Sequence, residues 1–120
     1  MADKQCRCQD FAIWADGVAL SGDLFVLANS LEKRKLFRFA EQLRAAALSI
    51  TNNIAEGSGS VSAPDFRHFL NMARRSVFEV ANMLLLFSVH GYLTSAQVSP
   101  LLPRLEAESK KILAFMRALK

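Results

Sequence analysis

The sequence predicts an all-α protein, an up-down antiparallel four-helix bundle assembled as a homo-oligomer. Apolar residues recur at spacings near 3.6 through four long stretches. The stretches are separated by short breaks rich in glycine, serine, asparagine and proline, and no stretch shows the two-residue alternation of a half-buried strand. Hydrophobic residues make up 52% of the 120 residues, a large share for a single small domain. The excess predicts that a subunit interface covers part of the surface.

The first helix is predicted over 10–28, with Phe11, Trp14, Val18, Leu24 and Phe25 on its apolar side and Asp10 as its cap. Gly17 and Gly22 weaken it, while leaving room for a neighbouring helix to approach. Asn29-Ser30 is the predicted turn. The second helix runs from Leu31 or Glu32 to Glu56 on a stripe of Leu36, Phe39, Leu43, Ala46, Ile50 and Ile54. Gly57-Ser58-Gly59-Ser60 stops it, with a glycine expected in the left-handed conformation. Ser62, Pro64 and Asp65 start the third helix, since a serine cap, an early proline and an early acid all suit a helix N-terminus. His90-Gly91 closes it. The fourth helix begins at Thr94 or Ser95, or near Ser99 with Pro100 at the first helical position, and extends to about Ala118. Residues 1–120 form one domain, with a flexible segment expected at 1–9.

The net charge of +4 is unevenly placed. Residues 1–60 carry seven basic and seven acidic side chains, and residues 61–120 carry eight and four. That balance suits a polyanionic partner as well as it suits a solvated basic surface. Cys6-Arg7-Cys8 supplies half of a tetrahedral metal site with nothing to complete it, and reduced thiols in a reducing, cytoplasmic setting are expected. The apolar run from Ala81 to Val89 is far short of the roughly 20 residues a membrane span needs, so no membrane partner is expected.

The segment from Gln42 to Gly57 sets Gln42, Ser49, Asn53 and Glu56 among alanines and branched aliphatics. Polar groups on a packed helix face must find partners, because burying them unpaired is costly. Ser76 and Glu79 repeat the three-residue spacing of Asn53 and Glu56 on the next helix, and Arg44 is positioned to pair with Glu79 if the two helices run antiparallel. Gln42, Arg44, Ser49, Asn53, Glu56, Ser76 and Glu79 therefore form a predicted structural polar network. The residues that carry it also carry a resemblance. Gln42-Leu43-Arg44, Ser49-Ile50, Asn53-Ile54-Ala55-Glu56-Gly57, Phe69-Leu70, Ala73, Ser76 and Glu79 resemble the pattern of small bacterial four-helix-bundle proteins. That group includes proteins encoded in intervening sequences of 23S ribosomal RNA genes and the accessory proteins of diversity-generating retroelements. Ala45 and Arg75 depart from it, where the group has a second arginine and a glycine. The resemblance implies a homo-oligomer, a pentameric barrel of bundles, and for the retroelement members a nucleic-acid-binding partner of a reverse transcriptase.

Catalytic chemistry finds little support. Glu56 and Glu79 fall near opposite ends of the predicted helix pair, too far apart for joint acid–base work. His68 and His90 complete no Glu-x-x-His repeat, so no metal or cofactor is expected. Ser58 and Ser76 lack a triad, and Gly57-Ser58-Gly59 lacks the strand and lysine of a phosphate loop. The basic residues are more suggestive. Lys33, Arg34, Lys35 and Arg38 cluster at the start of the second helix; Arg67, Arg74 and Arg75 mark the third, and Lys110 and Lys111 the fourth. Arginine and lysine neutralise phosphates without reading bases. The expectation is thus a non-enzymatic oligomeric accessory protein binding structured RNA or DNA and recruiting a reverse transcriptase or another RNA-processing partner. A protein-interaction scaffold without nucleic-acid binding is the alternative.

Overall fold

The computed structural model describes residues 4–120. Five helices follow a 3₁₀ turn at Arg7–Asp10: α1 (Ala12–Lys33), α2 (Phe37–Ser58), α3 (Ala63–Val89), the single turn α4 (Ser95–Val98) and α5 (Leu102–Ala118). The four long helices are antiparallel neighbours in the order α1, α2, α3, α5, and α5 closes back on α1. They enclose one apolar core in which Leu24, Leu43, Ile50, Leu70, Leu84 and Ile112 are fully buried. Aromatic clusters seal both ends. Phe11, Phe66 and Phe115 meet edge to face or tilted at 5.2–5.7 Å, and at the other end Phe39 packs on Phe87 and Tyr92 at 5.2 and 5.4 Å.

The first break differs from the sequence expectation. Asn29 and Ser30 lie inside α1, which continues to Lys33 so that Leu27, Ala28 and Leu31 can be buried. Their polar side chains, which would favour a turn in isolation, find tertiary partners instead: Arg44 donates to Asn29 Oδ1 at 2.7 Å and Gln97 to Ser30 Oγ at 3.3 Å. The chain turns at Arg34-Lys35-Leu36. Lys35 takes the left-handed conformation (φ 63°), with Lys35 N–H donating to Glu32 O and Leu36 N–H to Leu31 O. These two bonds make a Schellman motif with lysine in the usual glycine position. Gly91 (φ 75°) ends α3 in the same way, through Gly91 N–H to Ser88 O and Tyr92 N–H to Phe87 O.

Other boundaries shift for similar reasons. Phe11, not Asp10, precedes α1, because its ring is held in the aromatic cluster while Asp10 pairs with Lys4 at 3.0 Å. Helix α2 runs on to Ser58, and Gly59 ends it at φ −86°, in the ordinary right-handed region. Gly57 is inside the helix, where its role is close approach: a Cβ there would stand 2.8 Å from Phe69 Cβ and 2.9 Å from Phe66 Cδ1. Ser62 caps α3 by accepting from Asp65 N–H, as the sequence predicts. The fourth long helix is divided. Thr94 and Gln97 form a capping box on α4, Pro100 lies in the turn that follows, and Pro103 rather than Pro100 sits at the second position of α5.

The predicted flexible segment 1–9 is folded in its described part. Cys8 is buried, and Arg7 donates to Ser58 O at 3.0 Å. Cys6 and Cys8 are joined to each other in a disulfide rather than held as the reduced thiols the sequence predicts. Residues 1–3 of that segment lie outside the described residues.

Candidate nucleic-acid interface

Nine basic residues are the sequence candidates, and the structure divides them by what they already hold. Arg34 is a structural clamp: its guanidinium donates to Gly91 O at 2.7 Å and Tyr92 O at 2.8 Å, tying the α1–α2 turn to the α3–α4 turn. Arg67 is half-buried and donates to Leu119 O at 3.1 Å, fastening the end of the chain to α3. Lys110 pairs with Glu106 at 3.2 Å within α5, and Lys111 pairs with Asp16 of α1 at 3.0 Å. Arg74 is half-buried with its guanidinium 5.1 Å from the Phe78 ring, and its Nε is buried without a partner among the described residues.

Lys33, Lys35, Arg38 and Arg75 remain. All four are exposed, and none has an ion-pair partner among the described residues. Helix geometry separates them into two groups. Lys33, Lys35 and Arg38 surround the α1–α2 turn, at the end of the bundle where α3 finishes. Arg75 lies 14 residues before the end of α3, about 20 Å back along the axis at 1.5 Å per residue. The nine cations therefore do not form one patch.

Arg74 and Lys110 do converge, across the groove between α3 and α5. Val77, Phe78, Ala81, Leu102 and Leu105 line this groove, which measures about 310 Å³. Sequence spacing placed Arg74 on a helix face but could not show that α5 brings Lys110 opposite it.

The polar network assembles in part. Ser49 and Ser76 hydroxyls lie 2.8 Å apart across α2 and α3, and Asn53 Nδ2 donates to Ser49 O and Ser49 Oγ at 2.8 and 3.0 Å. Ser76 also donates to Met72 O at 3.2 Å. The Ser49–Ser76 contact and the seating of Gly57 against Phe66 and Phe69 give α2 and α3 a single antiparallel register. Gln42 and Glu79 line one groove of about 420 Å³ with Ala45, Ala46, Ser49, Asn82 and Met83. Arg44 does not join them. It turns to α1, where it meets Glu32 Oε2 at 2.6 Å as well as Asn29, so the predicted Arg44–Glu79 pair is replaced by an α1–α2 brace. Glu56 is exposed, level with Phe69 rather than with Glu79.

No group of three or more His, Cys, Asp or Glu suited to a metal ion occurs among the described residues. Ser58 donates to Ala55 O, and His68 and His90 sit on the exterior. No helix among the described residues is long and apolar enough to cross a membrane.

With the bundle and these groups in place, comparison with protein families is decisive for kinship. The family profile described as 23S rRNA-intervening sequence protein matches residues 9–114. The chain belongs to that family. The match extends from the turn before α1 nearly to the end of α5, and so takes in most of the bundle. A search of curated proteins finds no match to the chain.

Sequence reasoning did not single out Glu108. Its side chain is 1% exposed between α1 and α5, and burial, assisted by repulsion from Asp16 and opposed by Lys111, pushes its pKa up to about 7. A glutamate two residues after Glu106 on a charged helix has no distinctive local signal. Only its position on the i, i+3, i+4, i+7 line of Leu105 and Ile112 marks it as inward-facing.

Proposed function

We propose that this chain is a non-enzymatic, oligomeric accessory protein that binds structured RNA or other nucleic acid through its phosphates. The observation that carries this reading is the set of uncommitted cations: Lys33, Lys35, Arg38 and Arg75 are exposed and unpaired among the described residues while neighbouring basic groups brace the fold. Phosphate contacts made by such side chains position a nucleic acid without reading its sequence. Arg74 adds a charge beside an apolar groove in which Lys110 is paired with Glu106. The partner such a protein would serve is a reverse transcriptase or another RNA-processing enzyme, as the likeness to retroelement accessory proteins suggests.

Assembly belongs to the same proposal. Phe78, Leu85, Leu86 and Val89 leave one side of α3 exposed and apolar, and Leu48 and Phe37 do so on α2. A homo-oligomer, a pentamer by resemblance, would cover these side chains. The same stripe favours a second reading, a protein-recruiting scaffold whose positive charge is incidental.

Fluorescence anisotropy with a structured RNA and a duplex DNA across a salt series separates the two. The accessory reading expects an affinity that falls steeply with salt, with the Lys33→Ala/Lys35→Ala/Arg38→Ala variant losing about two to three from the slope of log K against log salt. Arg75→Ala would remove up to about one more. An intact oligomer that shows no affinity near physiological salt, or variants that leave the slope unchanged, would transfer the assignment to the scaffold.

A further inference from the structure

The contact between α1 and α5 is built unlike the rest of the core. Two ion pairs cross it at the surface, Asp16 with Lys111 at 3.0 Å and Asp23 with Arg104 at 2.5 Å. Between them Glu108 points inward, with both carboxyl oxygens sealed from solvent and without a partner among the described residues. Gly17 makes the space: a Cβ built there would stand 3.3 Å from Glu108 Oε2 and 2.9 Å from Thr51 Cγ2. A cavity of about 140 Å³, lined by Asp16, Leu20, Arg104, Glu108 and Lys111 among others, lies beside the carboxyl.

The charged groups around Glu108 are engaged with other partners. Helix α1 presents Asp16, which repels a second carboxylate, and α5 presents Lys111, whose ammonium is already given to Asp16. Arg104 is held by Asp23. Around Gly17, α2 offers only the uncharged Thr51 and Ile50, and the charges acting on Glu108 come from α1 and α5. A carboxylate sealed away from both water and a cation is strongly disfavoured, whereas the neutral acid is tolerated at the cost of an unmade hydrogen bond. In the closed arrangement no donor among the described residues reaches either Glu108 oxygen, so ionisation requires Lys111 to be redirected towards Glu108 or the seam to open to water.

We propose that the α1–α5 seam is a proton-linked latch, closed over neutral Glu108 and opened along α5 when Glu108 releases its proton to solvent. Opening unseats Leu105 and Ile112, which flank Glu108 on the inner face of α5, and exposes Leu20 of α1. The ion pairs at the rim persist or re-form in water at little cost, since exposed pairs contribute weakly. What holds the seam is thus the neutral acid and its apolar neighbours. The latch works in the range just below neutrality, because the closed state keeps the Glu108 proton up to about pH 7 against 4.5 for a solvated glutamate.

Amide hydrogen exchange on the full chain from pH 5 to 8.5, corrected for the intrinsic pH dependence of exchange, tests this. Protection in α5, taken relative to α3, should fall as pH rises and level off above about 7. The ceiling over this range is about 100-fold, set by tenfold in the opening equilibrium for each of the roughly two pH units between pH 5 and the closed value of about 7. Glu108→Gln keeps the shape of the neutral acid and should make the α5 profile flat. Asp16→Asn frees Lys111 for Glu108 and should shrink the fall. Parallel loss of protection in α3 and α5, or the same pH profile in wild type and Glu108→Gln, would overturn the latch. A ¹³C carboxyl titration of Glu108 in the wild-type protein gives an independent check. A midpoint near 7 supports the proposal, and one near 4.5 defeats it.

Discussion

Adding one methyl group at Gly57 should weaken the protein, although the same change in an open helix would strengthen it. Gly57 is buried within α2, and replacing a helix-interior glycine by alanine ordinarily gains about 0.5–1 kcal/mol. Here the new Cβ would stand 2.8 Å from Phe69 Cβ and 2.9 and 3.2 Å from Phe66 Cδ1 and Cε1. Phe69 Cβ is fixed to the α3 backbone and cannot swing aside. Phe66 is itself held at 5.7 Å from Phe11 and 5.5 Å from Phe115. The contact is relieved only by moving α2 away from α3, and overpacking of that kind costs about 1–3 kcal/mol. After the propensity gain is subtracted, Gly57→Ala should lose on the order of 1–2 kcal/mol. Gly22 is the matched control: a Cβ there meets nothing within 4 Å, so Gly22→Ala should gain up to about 1 kcal/mol. Urea unfolding followed by far-ultraviolet circular dichroism, at equal protein concentration, reads both. A Gly57→Ala midpoint at or above that of wild type would refute the close approach of α2 and α3 at this position.

Two further perturbations follow from the same contacts. Arg34→Ala should destabilise the protein by about 1 kcal/mol, because it removes the bonds to Gly91 O and Tyr92 O, whereas Lys33→Ala should leave the urea midpoint unchanged. Stability should also depend on pH through Glu108. Its folded pKa of about 7 lies above the unfolded 4.5, so its contribution is fully present below pH 4.5, declines as pH rises towards 7 and is gone above it. The total is at most about 3 kcal/mol, with opening to water reducing it. Urea midpoints measured between pH 4.5 and 8 should therefore fall more in wild type than in Glu108→Gln, and equal slopes would contradict the assignment.

How much could be read in advance depended on whether the signal was local. The start of α3 was legible because Ser62, Pro64 and Asp65 act through their own backbone, and its close at His90-Gly91 was legible because glycine readily takes the left-handed conformation. The α1–α2 turn was not, since Asn29 and Ser30 are turn-prone only until Arg44 and Gln97 occupy their oxygens, and Lys35 carries no sign that it will adopt positive φ. Spacing grouped Ser49, Asn53 and Ser76 as polar positions on packed helix faces, whereas the bonds they make depend on the register of α2 against α3. The partner of Arg44 did not, because a side chain at the edge of α2 reaches either flanking helix and only the ring order of the bundle selects α1.

The sequence by itself determined an all-α bundle with four long helices, since periodic burial and the conformational preferences of serine, proline and glycine act over a few residues. Tertiary structure alone decided which charges are spent and which have no partner among the described residues. Arg34, Arg67 and Lys111 look like Lys33, Arg38 and Arg75 in a list of basic residues, yet their partners lie 57, 52 and 95 positions away along the chain. It also decided that Glu108 would be sealed against Gly17, because long-range packing brings α5 onto α1 and sets the dielectric and the hydrogen-bond supply of every group between them.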